Sequence, residues 1–567
     1  MKSLNAAIGA LAVACAAMVA PVAHAQTLQV LTAGSSAQFG PFAVAAYQLA
    51  KSGGATAFHY TVKTSSCTTA GTSAPVAPCY SSLQDAREGT TIPNEPGNLF
   101  VVWSSNGIWA YLSIDSSVGV RGFQAYPRAN LALTSLSTLP VSTTTNYTYW
   151  ADGTNDTALT STVYSAINGA ALTAANTDIR PEDALFATNR AISLGYSVTN
   201  PIESLFSTTT AHPIPFSLST GVADPLSGQT IPAANAFVTL PIGAAPIVFL
   251  ANSSLSAATN LRVTEGGTNN AALLFSGQGN CAGNLLDGVA STVALSPILR
   301  EPLSGTMNTT EFTNFSLTAG GASQETGINT NPAHQTCGSG DRDRAIGTGE
   351  EVNAVRETTT PAATNAVGYA FFSYESTGAA STYKYITLDG VDPINSTYST
   401  SGALPTCPVV SGQYTCPIAN GASFPNLRSG SYRSWSMYRL LTDASHEANA
   451  QKLVTEAQTL VNSNIPDFVP FSPVCKTTTS GTNDPGLDVY RQHFTPAGVT
   501  LPIPGPNDGP VQASVHCTVG GVTTLAYRTL GGQGSSNTES GGDAGGVIEG
   551  PFSGNPTPVP GPTGSRQ

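Results

Sequence analysis

Short apolar segments along the chain predict buried β-strands. Residues 28–31, 100–103 and 367–372 have the length and the β-branched or aromatic content of such strands. Residues 112–120 predict a strand that leads into a turn with two adjacent serines. The aromatic-rich segment 433–441 is also apolar enough to be buried, and its pattern fits a strand or a helix.

One long apolar run, residues 236–250, contains Pro241 and Pro246. Proline has no N–H group to donate to a sheet, so it is rare inside a paired strand. The run therefore predicts two adjacent buried strand segments that are broken between the two prolines.

Other segments have the spacing of helices. Residues 42–49, 271–275 and 350–356 predict short helices, and residues 444–461 predict the clearest amphipathic helix. Its apolar side carries Ala448, Leu453, Ala457 and Leu460. Strands that alternate with helices favour an α/β fold built on a sheet with crossover connections.

Length and composition limit the organisation of the chain. Its 567 residues are enough for several cores, so two or more lobes are expected. Residues 531–567 consist of Gly, Pro and Ser with almost no apolar side chain, which predicts a disordered tail. The net charge of −12 argues against nucleic acid or an anionic membrane as partner.

The first 25 residues have the pattern of a secretory signal peptide. Lys2 precedes an apolar stretch at 6–19, and Ala23-His24-Ala25 forms a cleavage site of the A-x-A type. We expect cleavage after Ala25 and a periplasmic or secreted protein. A transmembrane helix is the alternative, although the apolar run is short for a bilayer. A lipoprotein attached through Cys15 is a second alternative.

Eight cysteines remain after Cys15 is set aside, an even number that predicts disulfides in an exported chain. Sequential pairing is the simplest arrangement, because Cys67 and Cys79 are close in sequence and so are Cys407 and Cys416. The sequence leaves the connectivity open. No C-x-x-C motif is present, and neither a metal site nor a cofactor is predicted.

The segment 299–306 combines a permanent cation with a Ser-Gly-Thr turn. Arg300 lies four residues before Ser304, and residues 307–317 are expected to continue as a helix. Free N–H groups at a helix N-terminus attract anions, and an arginine fork suits a tetrahedral oxyanion. A surface turn, with Arg300 in an ordinary ion pair, is the alternative.

Several segments, in order, resemble the phosphate-binding proteins that serve phosphate ABC transporters, which are two-lobed periplasmic binding proteins. Arg300 to Thr306 is similar to that family's Arg-x-Asp-x-Ser-Gly-Thr motif, except that Pro302 replaces the acidic residue which orients the arginine. The other similar segments are 33–42, 113–121, 178–184, 240–252, 274–278 and 366–369. The resemblance covers roughly half of the mature chain.

The resemblance implies a two-lobed fold of type II with hinge strands and long insertions. The first lobe would comprise residues 26–245 and 365–530, and the second lobe residues 246–364. A tetrahedral anion would bind in the cleft between the two lobes, held by turns from both.

The resemblance also implies a set of ligand residues: Ser36, Ser116, Asp183, Arg300, Ser304, Gly305 and Thr306. Asp183 would accept the proton of a protonated phosphate and so discriminate against sulfate. The alternative for Asp183 is an acidic residue in the first turn of a helix. At the first turn, Ala37 and Gln38 are alternatives to Ser36, depending on the gap.

The function implied is a solute-binding protein that is not an enzyme and needs no cofactor. Its partners would be inorganic phosphate and an ABC permease, and it would be monomeric. One alternative is a secreted or surface protein that kept the fold and no longer serves transport. A phosphate-ester hydrolase is less favoured, because the His and Asp residues do not group as a metal or nucleophile site.

Overall fold

The computed structural model describes the following parts of the chain: residues 26–62, 97–124, 128–133, 135–139, 157–179, 238–263, 269–300, 303–310, 314–315, 334–345, 347–356, 365–372, 383–394, 409–410, 413–414, 432, 434–463, 467–470, 476–477, 483–484, 516–519 and 522–525.

The first part of the described chain alternates strands and helices. In order these are β1 (Leu28–Ser35), α1 (Phe39–Lys51), β2 (Thr56–Val62), β3 (Gly97–Ser104), β4 (Gly107–Ile114), α2 (Ser116–Gln124), α3 (Ser161–Ile167), β5 (Ala174–Thr177) and β6 (Val238–Asn252). Three-residue helical turns follow β1 at Ser36–Gln38 and α2 at Leu136–Thr138.

The second part continues with shorter strands. It contains β7 (Asn260–Leu261), α4 (Asn270–Ser276), β8 (Leu286–Asp287), β9 (Ser296–Arg300), α5 (Gly305–Thr310), β10 (His334–Cys337), β11 (Gly340–Ala345), α6 (Gly347–Arg356), β12 (Ala366–Phe371) and β13 (Tyr383–Leu388). It ends with β14 (Val409–Val410), β15 (Gln413–Tyr414), β16 (Trp435–Thr442), α7 (Glu447–Ser463), β17 (Val469–Pro470), β18 (Lys476–Thr477), β19 (Asn483–Asp484), β20 (His516–Val519) and β21 (Val522–Leu525).

Most of the described strands belong to one mixed sheet of fifteen strands. Its main path has the order β10-β11-β9-β12-β6-β16-β5-β1-β4-β3-β2. β1 pairs in parallel with both β4 and β5, whereas β16 is antiparallel to β5 and β6. The α/β class that the sequence predicts is therefore confirmed, with a large sheet of mixed pairing.

The long strand β6 joins the two halves of this sheet. Its first part pairs with β16, up to the register pair of Trp435 with Pro246. Its second part pairs with β12 and β13. β12 and β13 therefore pair with the part of β6 that belongs to the predicted second lobe, residues 246–364. In the prediction, β12 and β13 themselves belong to the first lobe. The division into lobes itself stays a prediction.

β6 corrects the expectation of two broken segments. Residues 238–252 form one continuous strand that contains both prolines. The register with β16 shifts between Tyr438 and Arg439, beside Pro241. A bulge of this kind gives a strand an extra residue, which accommodates a position that cannot donate a hydrogen bond. Pro246 is followed by Ile247, whose N–H donates to the Ser434 carbonyl at 2.7 Å.

Helices cover both faces of the sheet around β1, as its alternating side chains require. Val30 packs in the apolar cluster that contains α1 and α7. Leu31 and Ala33 pack in a second cluster with α2 and α3. The predicted helices at 42–49 and 444–461 are confirmed as α1 and α7. Among the described helices, none combines the length and the apolar character needed to cross a membrane.

Two glycines let α2 approach the end of β1. A Cβ on Gly119 would meet the backbone of Ala33 and Gly34, so the helix packs directly on the strand. Gly34 itself has φ +144° and lies against the carbonyl of Asn176 in β5. Both contacts exclude a side chain, and they fix the first turn of α2 near the ends of β1 and β5.

One of the four cysteine pairs that sequential pairing predicts lies within the described residues. Cys281 and Cys337 form a disulfide with Cα atoms 5.5 Å apart, in agreement with sequential pairing. It ties the loop after α4 to the edge strand β10. The other predicted pairs involve cysteines outside the described residues, apart from Cys517 in β20.

Candidate functional site

Arg300, the last residue of β9, forms a buried ion pair with Asp115. Its Nη2 atom donates to Asp115 Oδ1 at 3.1 Å, and the two side chains are 1% and 3% exposed. Asp115 stands between the end of β4 and the start of α2. A buried cation needs such a partner, because removal from water destabilises an isolated charge by several kcal/mol. Arg300 is therefore a structural ion-pair partner as well as a candidate ligand.

The turn after Arg300 leads directly into α5. The backbone N–H of Met307 lies 3.4 Å from Ser304 Oγ, which caps the helix, and Asn308 donates to the Ser304 carbonyl at 2.7 Å. Thr306 Oγ1 accepts from Arg300 Nη1 at 3.3 Å. The expected helix at 307–317 thus begins two residues earlier, at Gly305, and α5 ends at Thr310.

The carboxylate of Asp178, just after β5, lies against two of the predicted ligand residues. Ser116 Oγ donates a hydrogen bond to Asp178 Oδ1. A Cβ on Gly305 would lie 2.6 Å from Asp178 Cγ and 2.8 Å from Ser116 Oγ. The backbone of Gly305 therefore closes over both side chains, and the ends of β4, β5 and β9 meet at one point.

Local hydrogen bonds hold Asp178 in this position. Thr177 Oγ1 donates to the Ile179 carbonyl at 2.8 Å and accepts from the Ile179 N–H at 3.1 Å. Ser436 Oγ donates to the Asp178 carbonyl at 2.6 Å. Both the backbone and the carboxylate of Asp178 are therefore fixed before any ligand arrives.

Burial raises the pKa of Asp178 to about 6. The hydrogen bond from Ser116 and the charges of Arg300 and Arg439 lower this pKa, but by less than burial raises it. Arg439 lies in β16 and is fully buried, with Nη1 donating to the Met437 carbonyl at 3.0 Å. Burial and the charge of Asp178 raise the pKa of Tyr111 well above its ordinary value. Asp178 is thus ionised at neutral pH, and Tyr111 stays protonated.

The site balances two buried arginines against two buried aspartates: Arg300 and Arg439, and Asp115 and Asp178. Among the described residues of the site, these charges balance and leave no net positive charge to attract an anion. Hydroxyl groups and backbone N–H groups at the starts of α2 and α5 must therefore provide most of the stabilisation for a bound anion. Such donors can hold a small oxyanion in a dry site without an excess of cationic side chains.

The structure brings together five of the seven predicted ligand residues: Ser116, Arg300, Ser304, Gly305 and Thr306. Ser36 follows the end of β1, the strand that lies between β4 and β5 in the sheet. Its hydroxyl is 3.0 Å from Thr348 Oγ1 and accepts from the Thr348 N–H at 3.1 Å, in the first turn of α6. Asp183 lies outside the described residues. Their roles as ligands all stay predictions.

Three charged residues of this site were not among the predicted ligand residues. Asp115 directly precedes the predicted Ser116, and Asp178 is the first aspartate of the segment whose second aspartate is Asp183. Both follow a buried strand, which is a signal for a site at the carboxyl edge of a sheet. Arg439 stands as a lone charge in an apolar strand, where a buried charge indicates a partner.

Two further sequence patterns concern side chains outside this site. The spacing of Tyr432, Trp435 and Tyr438 favours core positions over the lining of a sugar cleft, and all three are buried. The alternating charges of residues 341–344 predict a solvated run, but Arg342 is buried in β11 against Gly277. The expectation of a solvated run is therefore wrong for Arg342. Among the described residues, no cluster of His, Cys, Asp and Glu is arranged to hold a metal ion.

The raised pKa of Asp178 predicts a pH dependence of stability. The folded pKa, about 6, lies above the ordinary value of 3.8, so the folded state binds more protons between these values. Asp178 contributes about 3 kcal/mol to the free energy of unfolding at low pH. This contribution is lost as the pH rises through about 6. We expect Asp178→Asn to remove this loss in urea unfolding measured from pH 4 to pH 7.

The comparison with wild type at each pH isolates Asp178 from other groups. His59, whose pKa burial lowers to about 4, acts with the opposite sign in the same window. It is present in both proteins and cancels in the difference. Equal pH slopes of the unfolding free energy in wild type and Asp178→Asn would contradict the assigned pKa.

No protein-family model matches this chain, and no curated protein matches it in sequence. Among solved structures, it is similar to the high affinity periplasmic phosphate-binding protein PfluDING bound with phosphate. That match has 15% identity and a TM-score of 0.30, and it covers 62% of this chain and 80% of the other. A phosphate-binding protein from Stenotrophomonas maltophilia matches with 15% identity and a TM-score of 0.29, over 66% and 79% of the two chains. An ancestral soluble variant of the Human Phosphate Binding Protein matches with 15% identity and a TM-score of 0.29, over 63% and 83%.

Proposed function

We propose that this chain is an exported binding protein that captures inorganic phosphate at the ends of β4, β5 and β9. The observation that carries the proposal is the meeting of Ser116, Asp178 and Gly305, beside the buried Arg300. It supports a site for a small tetrahedral oxyanion, because hydroxyl, amide and guanidinium donors converge there. The protein has no catalytic role in this proposal.

The donor set suits an anion that can also donate one proton. Ser116, Thr306 and the first N–H groups of α2 and α5 are neutral donors, and Arg300 adds a fork of charged N–H groups. Asp178 is ionised at neutral pH and can only accept. A phosphate that carries a proton can donate it to Asp178, whereas sulfate would place a lone pair against the carboxylate.

Asp178 therefore takes, in this proposal, the role that the sequence assigned to Asp183. Its carboxylate already accepts from Ser116, one of the donors that the anion would use. The ligand must part Asp178 from Gly305 as it enters, so binding is expected to involve a movement of the two turns.

Paired substitutions test this assignment. Asp178→Asn is expected to reduce the preference for phosphate over sulfate by at least about tenfold, since an amide can donate to sulfate where a carboxylate cannot. Asp183→Asn is the matched comparison and is expected to leave the preference unchanged. The measurement is titration calorimetry with phosphate and with sulfate on the wild-type chain and both variants.

The outcomes of this experiment separate the alternatives. A loss of preference in Asp183→Asn alone would return the role to Asp183. An unchanged preference in both variants would leave neither aspartate as the discriminating residue. Absence of phosphate binding by the wild-type chain would overturn the proposed function as a whole.

The proposal extends to an ABC permease that would receive the phosphate, as the resemblance implies. Export is part of the proposal and rests on the signal pattern at residues 1–25. Equilibrium dialysis with radiolabelled phosphate, on protein recovered from outside the cytoplasm, tests capture and export together. Uptake of phosphate by cells that lack the chain would then show whether transport depends on it.

A further inference from the structure

The ion pair between Asp115 and Arg300 connects two strands that are far apart in the sheet. β4 and β9 are separated by six steps along the main strand order. At about 4.8 Å for each step, a flat sheet would place them roughly 29 Å apart. A contact at 3.1 Å is possible only if the two halves of the sheet face each other. Asp115 and Arg300 thus approach from opposite halves.

Two further contacts join the same two regions. The backbone N–H of Ser117 donates to the Leu303 carbonyl at 3.4 Å. Gly305 lies against Ser116 and Asp178, as described above. The first turn of α2 and the turn before α5 are therefore in direct contact, and the ion pair lies beside this contact.

Asp115 places a carboxylate beside Arg300, which position 302 cannot do. Two residues after Arg300 the chain has Pro302, which offers no carboxylate. Arg300 Nη1 is directed to Thr306 in its own turn, and Nη2 to Asp115 across the contact. One arm of the guanidinium is thus fixed locally and the other from the opposite half.

The free energy of this ion pair depends on whether the two halves of the sheet are in contact, an arrangement that we call closed. In the closed arrangement both groups are buried and need each other, whereas separated halves would let water solvate each group. The pair is thus a contact that only the closed arrangement makes.

We infer that Asp115 is a positioning residue that aims the guanidinium of Arg300 and ties the two turns together before an anion binds. The contact between the two turns does not depend on the proposed function, whereas its effect on phosphate binding rests on that function. Loss of the carboxylate should loosen both turns, and a carboxylate on a longer side chain should restore part of the tie.

The test is hydrogen exchange with mass spectrometry on the ligand-free, full chain. Asp115→Asn is expected to raise exchange about tenfold or more in peptides that contain Ser117 and in those that contain residues 303–310. Exchange in β1 should not change, which separates loosening from global unfolding. Asp115→Glu is expected to recover most of the protection.

Asp287→Asn is the matched control. Asp287 accepts from Arg262 Nε at 2.9 Å, in an exposed pair close in sequence. We expect this variant to leave exchange at both turns as in wild type. Equal exchange at both turns in Asp115→Asn and Asp287→Asn would overturn the inference, and so would an Asp115→Glu variant that exchanges as fast as Asp115→Asn.

A second variant tests the inference if Asp115→Asn does not fold. Arg300→Lys keeps the charge but replaces the guanidinium fork, whose two nitrogens reach Thr306 and Asp115, with a single ammonium group, so it should raise exchange at the same two turns. Unchanged exchange there would overturn the inference. Inorganic phosphate added to wild type should slow exchange at both turns. If it does not, the proposed function fails, while the comparison of variants still decides the tie.

Discussion

Replacement of Arg300 by alanine is expected to have the largest effect of any single change at this site. The substitution leaves the carboxylate of Asp115 buried without its cation. Removal of one partner of a buried ion pair typically lowers the free energy of unfolding by about 3–5 kcal/mol. Affinity for phosphate should fall by at least about 2 kcal/mol, roughly thirtyfold in Kd, because a desolvated charge-assisted contact is lost.

Urea unfolding and phosphate titration calorimetry measure the two effects, with Arg262→Ala as the matched control. Arg262 pairs with Asp287 at 2.9 Å, but its side chain is 37% exposed. An exposed pair typically contributes about 0–1 kcal/mol, so we expect a small loss of stability and no change in phosphate affinity. Arg300→Ala that matched Arg262→Ala in both measurements would show that burial of the pair adds nothing.

Gly305→Ala is expected to have the second largest effect. Helix propensity alone would favour alanine at the first residue of α5, by up to about 1 kcal/mol. The added methyl group would, however, meet Asp178 Cγ at 2.6 Å and Ser116 Oγ at 2.8 Å. These side chains are buried and bonded to each other, so they have little room to move. We expect a net loss of about 1–3 kcal/mol in stability and at least a tenfold loss in phosphate affinity.

Gly390→Ala separates this clash from backbone effects. Gly390 has φ +77° and faces open space, so alanine there meets conformational strain without a clash. It should cost about 1 kcal/mol in unfolding free energy and leave phosphate affinity unchanged. Thermal unfolding and calorimetry on both variants make the comparison. A Gly305→Ala protein that binds phosphate like wild type would show that the two turns do not need to approach so closely.

Prediction from sequence was most successful where one short segment carries its own pattern. The strand at 28–31 and the helix at 42–49 lie inside β1 and α1, and the helix at 444–461 overlaps α7 over most of its length. In each, the period of apolar residues decides which face packs on the sheet. The α/β class follows from this alternation, because each helix must cover a face of the sheet.

The same approach failed where a neighbouring strand decides the outcome. Pro241 and Pro246 predicted a break, yet β6 continues through both, with one extra residue beside Pro241 in its register with β16. Arg342 was placed in a solvated run because no local pattern shows that β11 pairs with β9. In both cases the deciding contact comes from residues far away in sequence.

The candidate site shows the same division. The sequence by itself determined the Arg300 turn, the paired serines at the start of α2 and the acidic segment after β5, since each is a local arrangement of donors and acceptors at the end of a strand. Only the tertiary structure decided that Asp178 lies against Ser116 and Gly305, and that Asp115 holds Arg300. The contacts of Asp178 with Gly305 and of Asp115 with Arg300 join residues from opposite halves of the sheet, so they exist only after the halves have met and water has been excluded.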